Sequence, residues 1–152
     1  ANEHLVAVER SLESRKLRPI QHLAQAGALG PQTLLAHSTL ITPEEIRLLL
    51  DSGTAFSYNP VASAWKGNAV APAHLMATLG IRMGLGTDGT RSDGFRLLDY
   101  AESAQRFAFG IAVGDSSCGG GWLWLTHATS AGAQVLGLGE TAGKLAAGPR
   151  AA

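Results

Sequence analysis

Apolar residues recur along this chain at two spacings, one helical and one of short continuous runs. From Leu5 to Leu17 the charges Glu9, Arg10, Glu13, Arg15 and Lys16 interleave with Leu5, Val8 and Leu12, which predicts a helix that Pro19 interrupts. A second helical stretch, Ile20 to Ala28, closes at Gly30-Pro31. Thr33-Leu34-Leu35-Ala36 then reads as a buried strand that delivers His37 at its end. Thr42-Pro43-Glu44-Glu45 is a helix start, with an N-cap hydroxyl, a first-position proline and two carboxylates at the positive end of the dipole. That helix runs to Asp51 and Gly53 stops it. Thr54 to Tyr58 is the second strand, followed by a long loop through Trp65 and Lys66. Pro72 to Leu79 is helical, Gly80 ends it, and Ile81 to Gly86 forms a third strand leading into Thr87-Asp88-Gly89. Two helices, Phe95 to Ile111 and Trp122 to Leu138, flank the glycine-rich segment from Asp115 to Gly121.

Strands that alternate with helices imply parallel pairing with right-handed crossovers, and in such units chemistry collects at the strand carboxyl ends. His37, Asn59 and Asp88 fall there. The expected class is therefore α/β.

Composition narrows the function. The 152 residues are enough for one domain, and 12 basic against 12 acidic side chains leave no field to gather phosphates, which argues against a nucleic-acid binder. No apolar run reaches the ~18 residues of a spanning helix, and Ala1-Asn2-Glu3-His4 is not the basic head of a signal peptide, so no membrane partner is expected. Cys118 is the one cysteine, which excludes an internal disulfide and makes a reducing cytoplasm the expected location. The chain does not begin with Met, and a piece of a longer protein is expected.

A histidine and an aspartate that end two parallel strands suit a divalent ion and an activated water, with zinc and iron both matching these ligand atoms. A hydrogen-bonded rim histidine is the alternative for His37. Gly84-Leu85-Gly86-Thr87-Asp88-Gly89 also fits G-x-G-x-x-G, but the polar segment after it opens no helix and Asp88 would repel phosphates. A nucleotide site is set aside. The loops Asn59 to Gly67 and Thr90 to Asp93 should rim a pocket. There Trp65 can stack on a planar ring or anchor its loop, Asn59 can bond a heterocycle edge or serve a turn, and Lys66 or Arg91 can pair with an anionic or carbonyl group. Arg91 can equally pair with Asp93. His22, His74 and His127 read as surface or packing residues, and Trp122 and Trp124 as core.

Leu34-Leu35-Ala36-His37-Ser38, Thr42-Pro43-Glu44-Glu45-Ile46, Ser57-Tyr58-Asn59-Pro60, Gly84-Leu85-Gly86-Thr87-Asp88-Gly89 and Ala128-Thr129 with Gly132-Ala133 and Leu136-Gly137 follow one another in order. Together they resemble the second half of the amidohydrolase superfamily, in its cytosine/guanine deaminase and chlorotriazine hydrolase-like branch. The resemblance implies the C-terminal part, strands five/six to eight, of a (β/α)8 TIM-type barrel, with residues 1–152 as one partial domain. It implies one divalent metal ion, zinc or iron, held by Asp88, with His37 on the substrate or the hydrolytic water. Ala1-Asn2-Glu3 would end the strand-five His-x-x-Glu motif, making Glu3 the proton shuttle. A rival register makes His4 a metal ligand but leaves Ala7 where the acid belongs.

The implied function is hydrolysis of a carbon–nitrogen bond, as in deamination of an amino-substituted heterocycle. Hydrolysis at another leaving group (amide, alkylamine or triazine halide) and a non-catalytic small-molecule-binding module are the alternatives. The partner is a small heterocycle, and a homo-oligomeric parent is compatible with it. Two departures stand out: the strand-one His-x-His pair is absent together with strands one to four, and Tyr58 stands where many relatives have histidine.

Overall fold

The computed structural model describes residues 1–89, 92–115 and 119–147. Helices α1 (Leu5–Arg15) and α2 (Pro19–Gln25) precede β1 (Leu34–Ala36), and Pro19 opens α2 rather than merely ending α1. Next come α3 (Pro43–Ser52), β2 (Ala55–Tyr58), α4 (Pro60–Lys66), α5 (Ala73–Thr78) and β3 (Met83–Leu85). The strands form a parallel sheet in the order β1-β2-β3, with Leu35 opposite Phe56 and Phe56 opposite Met83. The α/β expectation is met, and every strand's carboxyl end points the same way.

The capping residues act as their chemistry dictates. Thr42 Oγ1 accepts from the Glu45 N–H at 3.3 Å while Glu45 Oε2 accepts from the Thr42 N–H at 3.1 Å, a reciprocal box that fixes where α3 begins. Gly53 ends α3 at φ +68°, a left-handed position that glycine takes without steric cost. The core lies where the helices meet the sheet: Ile20, Leu49, Phe56, Met76 and Met83 are fully buried there.

Four expectations change. The segment after β2 is not a loop but α4, with Pro60 in its first turn and Gly67 at its C-cap. The helix from residue 95 begins at Gly94 as α6 (Gly94–Gln105), widens to a π-helical turn (Arg106–Gly110) and ends as α7 (Ile111–Val113). The final helix is two, α8 (Gly121–Ala128) and α9 (Ser130–Val135), broken at Thr129. Trp124 is core, its ring 5.6 Å from that of Tyr58, whereas Trp122 is 81% exposed and lies outside the core. Helix α9 packs closely on β3, and a Cβ placed on Gly84 would lie 3.2 Å from the Gly132 Cα.

Among the described residues no helix is long and apolar enough to cross a membrane.

Candidate active site

Glu3, His37 and Asp88 meet at the carboxyl end of the sheet. Each offers a ligand atom within 4.8 Å of the others, the one such cluster of three among the described residues. His37 follows β1 directly, its N–H bonded to the Ser57 carbonyl, and holds φ at +71°. Asp88 stands three residues past β3 at φ +54°, and its Oδ1 accepts from the Gly89 N–H at 2.6 Å. Its Oδ2 lies 3.4 Å from His37 Nε2, and Glu3 Oε2 lies 3.8 Å from the same nitrogen.

Glu3 reaches the site because the first residues run beside β1. The Ser38 N–H bonds the Ala1 carbonyl at 2.9 Å, the Leu40 N–H bonds the Asn2 carbonyl at 3.2 Å, and the Thr39 hydroxyl donates to the carbonyls of Asn2 and Glu3. Asn2 is buried at φ +55° and donates to Glu45 Oε2 at 3.1 Å. Arg18 Nε reaches that oxygen at 2.9 Å, so a half-buried ion pair on the buried Glu45 carboxylate anchors the backbone that carries Glu3. The N-cap at Thr42 was visible in the sequence; the reciprocal bond of Glu45 and its second duty toward Asn2 and Arg18 were not.

Helix α4 contributes what a loop would not. Its last residue, Lys66, donates to Glu3 Oε1 at 2.5 Å and reaches Asp88 Oδ2 at 3.5 Å. Asn68 Nδ2 also faces Glu3 Oε1, at 3.4 Å. The Lys66 hydrogen bond is the main reason Glu3 sits below the usual carboxylate range, and the same bond raises Lys66. Asp88 is lowered first by the Gly89 N–H. Burial pushes His37 below the ordinary imidazole value, against the pull of both carboxylates, so its neutral form is favoured.

The remaining candidates lie as follows. Asn59 is buried, with Oδ1 accepting from Ser57 Oγ at 2.7 Å and resting against Gly86, where a Cβ would come within 2.4 Å of that oxygen. Trp65 is 71% exposed on α4. Arg91 and Cys118 lie outside the described residues. Tyr58 is buried, its hydroxyl accepting from Gln105 Nε2 at 2.8 Å and donating to the Ala101 carbonyl at 3.3 Å. His4 caps α1, its Nδ1 accepting from the Ala7 N–H at 3.2 Å, and it is not a member of the cluster.

Two carboxylates and an imidazole gathered at one end of parallel strands form a donor set of the kind a divalent ion takes. Comparison with known proteins agrees. Residues 2–152 match the Amidohydrolase family. A 5-methylthioadenosine/S-adenosylhomocysteine deaminase of Teredinibacter turnerae is 32% identical over 146 residues, covering 95% of this chain and 33% of its own length. The enzyme of that name from Desulforudis audaxviator is 30% identical over 154 residues, covering 97% and 35%. Among solved structures, a zinc-bound adenosine deaminase from Xanthomonas campestris superposes with a TM-score of 0.88 at 24% identity, covering 99% of this chain and 34% of that one. An atrazine chlorohydrolase mutant from Arthrobacter aurescens, complexed with zinc and atraton, gives 0.80 at 25%, covering 95% and 32%. The chain belongs to the amidohydrolase family. It spans about a third or less of the length of the curated relatives it matches.

Proposed function

We propose that this chain is the C-terminal part of a metal-dependent amidohydrolase barrel, strands five/six to eight, and that the whole protein deaminates an amino-substituted nitrogen heterocycle. The observation that carries the reading is the convergence of Glu3, His37 and Asp88. The partial-barrel reading is supported by an apolar groove of about 730 Å³, lined by Leu34, Leu85, Leu125 and Leu136 among others, beside a sheet of three strands. Relatives named as deaminases support the reaction.

The donor set fits a divalent ion. Asp88 Oδ1 is engaged by backbone while Oδ2 faces His37 Nε2, and the two carboxylates lie close enough to repel one another without a cation between them. Asp88 is the chain's metal ligand in this reading, and zinc or iron fits equally. When bound, the ion supplies the Lewis acidity that makes a water nucleophilic at neutral pH.

The side chains do the rest. Asp88 accepts the proton of the attacking water, and neutral His37 orients that water or the substrate through Nε2. Glu3 carries a proton to the ring nitrogen, Asp88 passes the water's proton to the amino group, and that group departs as ammonia. Trp65 is the proposed stacking partner for the planar ring, with Asn59 and Arg91 as further substrate contacts.

The similarity to an atrazine chlorohydrolase favours one second reading, hydrolysis at another leaving group on the same kind of ring.

The test uses the full-length protein. Asp88→Asn is expected to abolish ammonia release from aminopurines, aminopyrimidines and aminotriazines and to weaken the metal. His37→Asn should abolish release with the metal largely retained. Normal turnover in either variant overturns the assignment. Residues 1–152 alone should be inactive until a fragment with the remaining strands is added.

A further inference from the structure

The ammonium of Lys66 lies where the two site carboxylates can share it. Nζ is 2.5 Å from Glu3 Oε1 and 3.5 Å from Asp88 Oδ2. With Asp88 Oδ1 engaged by the Gly89 N–H, Oδ2 is the oxygen left to face the site, and Lys66 and His37 both approach it. The residue reaches this position from the last turn of α4, 63 residues away from Glu3 in sequence. Its side chain is 41% exposed and ends a flexible four-carbon stem, so the ammonium can withdraw to solvent without disturbing α4.

We propose that Lys66 competes with a divalent ion for Glu3 and Asp88, and that it thereby sets the site's metal affinity. The proposal rests on the metal reading above. Its physical content is exchange of one cation for another on a shared anionic pair. Without metal, the ammonium offsets the repulsion between two neighbouring carboxylates. With metal, the same ammonium is a like charge beside the ion and must move away. Each state therefore has its own cation, and the wild-type site pays for metal binding by breaking the Lys66 contacts.

Cobalt(II) titration of the chelator-stripped, full-length protein, followed by visible absorption, tests this without measuring turnover. Lys66→Met is expected to bind cobalt about tenfold more tightly than wild type, because both the competing contact and the like charge are gone. Melting curves give a second readout. The metal-free variant should melt below metal-free wild type, while the cobalt-loaded forms should melt together, a pattern that a purely structural lysine would not give. If Lys66→Met fails to fold, Lys66→Gln carries the same comparison with a polar neutral group. Equal or weaker cobalt binding by a folded neutral variant overturns the proposal. Failure of both wild type and variant to bind one cobalt per chain instead overturns the metal reading on which it rests.

Discussion

The two ends of the sheet obtain left-handed backbone in different ways. On the helical scaffold the chain uses glycine for it, at Gly53 after α3 and Gly80 after α5, and Gly67, between Lys66 and Asn68, is the glycine that does the same at the site end. At the carboxyl end of the sheet the same region of backbone space is occupied by Asn2, His37, Ser38 and Asp88, all with side chains. Lys16, closing α1, is the one other non-glycine example among the described residues. Left-handed backbone costs a side-chain-bearing residue roughly 1–2 kcal/mol. Where a turn only has to turn, the chain avoids that cost. Where a turn must aim an imidazole or a carboxylate, it accepts it, as strained residues at functional sites do.

The largest expected effect breaks the comparison at the chemistry itself. Glu3→Gln keeps the shape and the neighbouring backbone but cannot shuttle a proton. Turnover of the full-length protein should fall by roughly 10²–10⁴ with the metal retained, far more than the loss of the Lys66 contact costs in stability. A silent Glu3→Gln with a damaging His4→Ala would move the site to the rival register.

The strand ends and the start and stop of α3 were legible in the sequence, whereas the left-handed backbone at the site was not. His37 and Asp88 could be placed because each follows an apolar run that ends in polar residues, and α3 because its start and stop signals agree. Helix α4 was missed because Pro60 and Gly67 read as loop punctuation, when they are the first-turn proline and C-cap of a seven-residue helix. The closeness of Lys66 to Glu3 depends on that helix and on the strand order, and no local pattern carries it. The break at Thr129 was likewise hidden, since no proline marks it and alanines that suit a helix lie on both sides.

The next effect sharpens the scaffold side. Gly53→Ala meets only ordinary contact, with Pro31 atoms at 3.9 and 4.0 Å, so its cost is conformational and should be about 1 kcal/mol in denaturant unfolding. A neutral result would show that the scaffold's glycines are not there for their dihedral angles. Ser38→Gly tests the other side: relaxing φ +52° at a buried residue whose hydroxyl has no hydrogen-bond partner should stabilise by about 0.5 kcal/mol. A loss of that size or more would mean that the site's backbone is not strained.

The smallest effect is on pH dependence. Glu3 and Asp88 are held below their ordinary values, so their contribution is present above the usual carboxylate range and is lost as pH falls through and below it. His37, also lowered, favours the folded state as neutral imidazole and loses that contribution as pH falls below about 6.5. Lys66, raised, matters only at the alkaline end. The metal-free protein should therefore melt progressively lower from pH 7 to pH 4. A flat profile would remove the electrostatic half of the contrast.

The contact between Gly84 and Gly132 has a consequence for how such a protein can change over generations. A side chain at Gly84 would press on the α9 backbone, and one at Gly132 would come within 2.7 Å of the His127 carbonyl oxygen. At Gly132 main chain would have to shift to admit a side chain, whereas at Gly84 the α9 backbone would have to give by only a few tenths of an ångström. Variation is thus held more tightly at Gly132 than at Gly84, and the spacing between β3 and α9 constrains both. Asp88, four residues beyond Gly84, is held in register by a pair of residues that take no part in the chemistry.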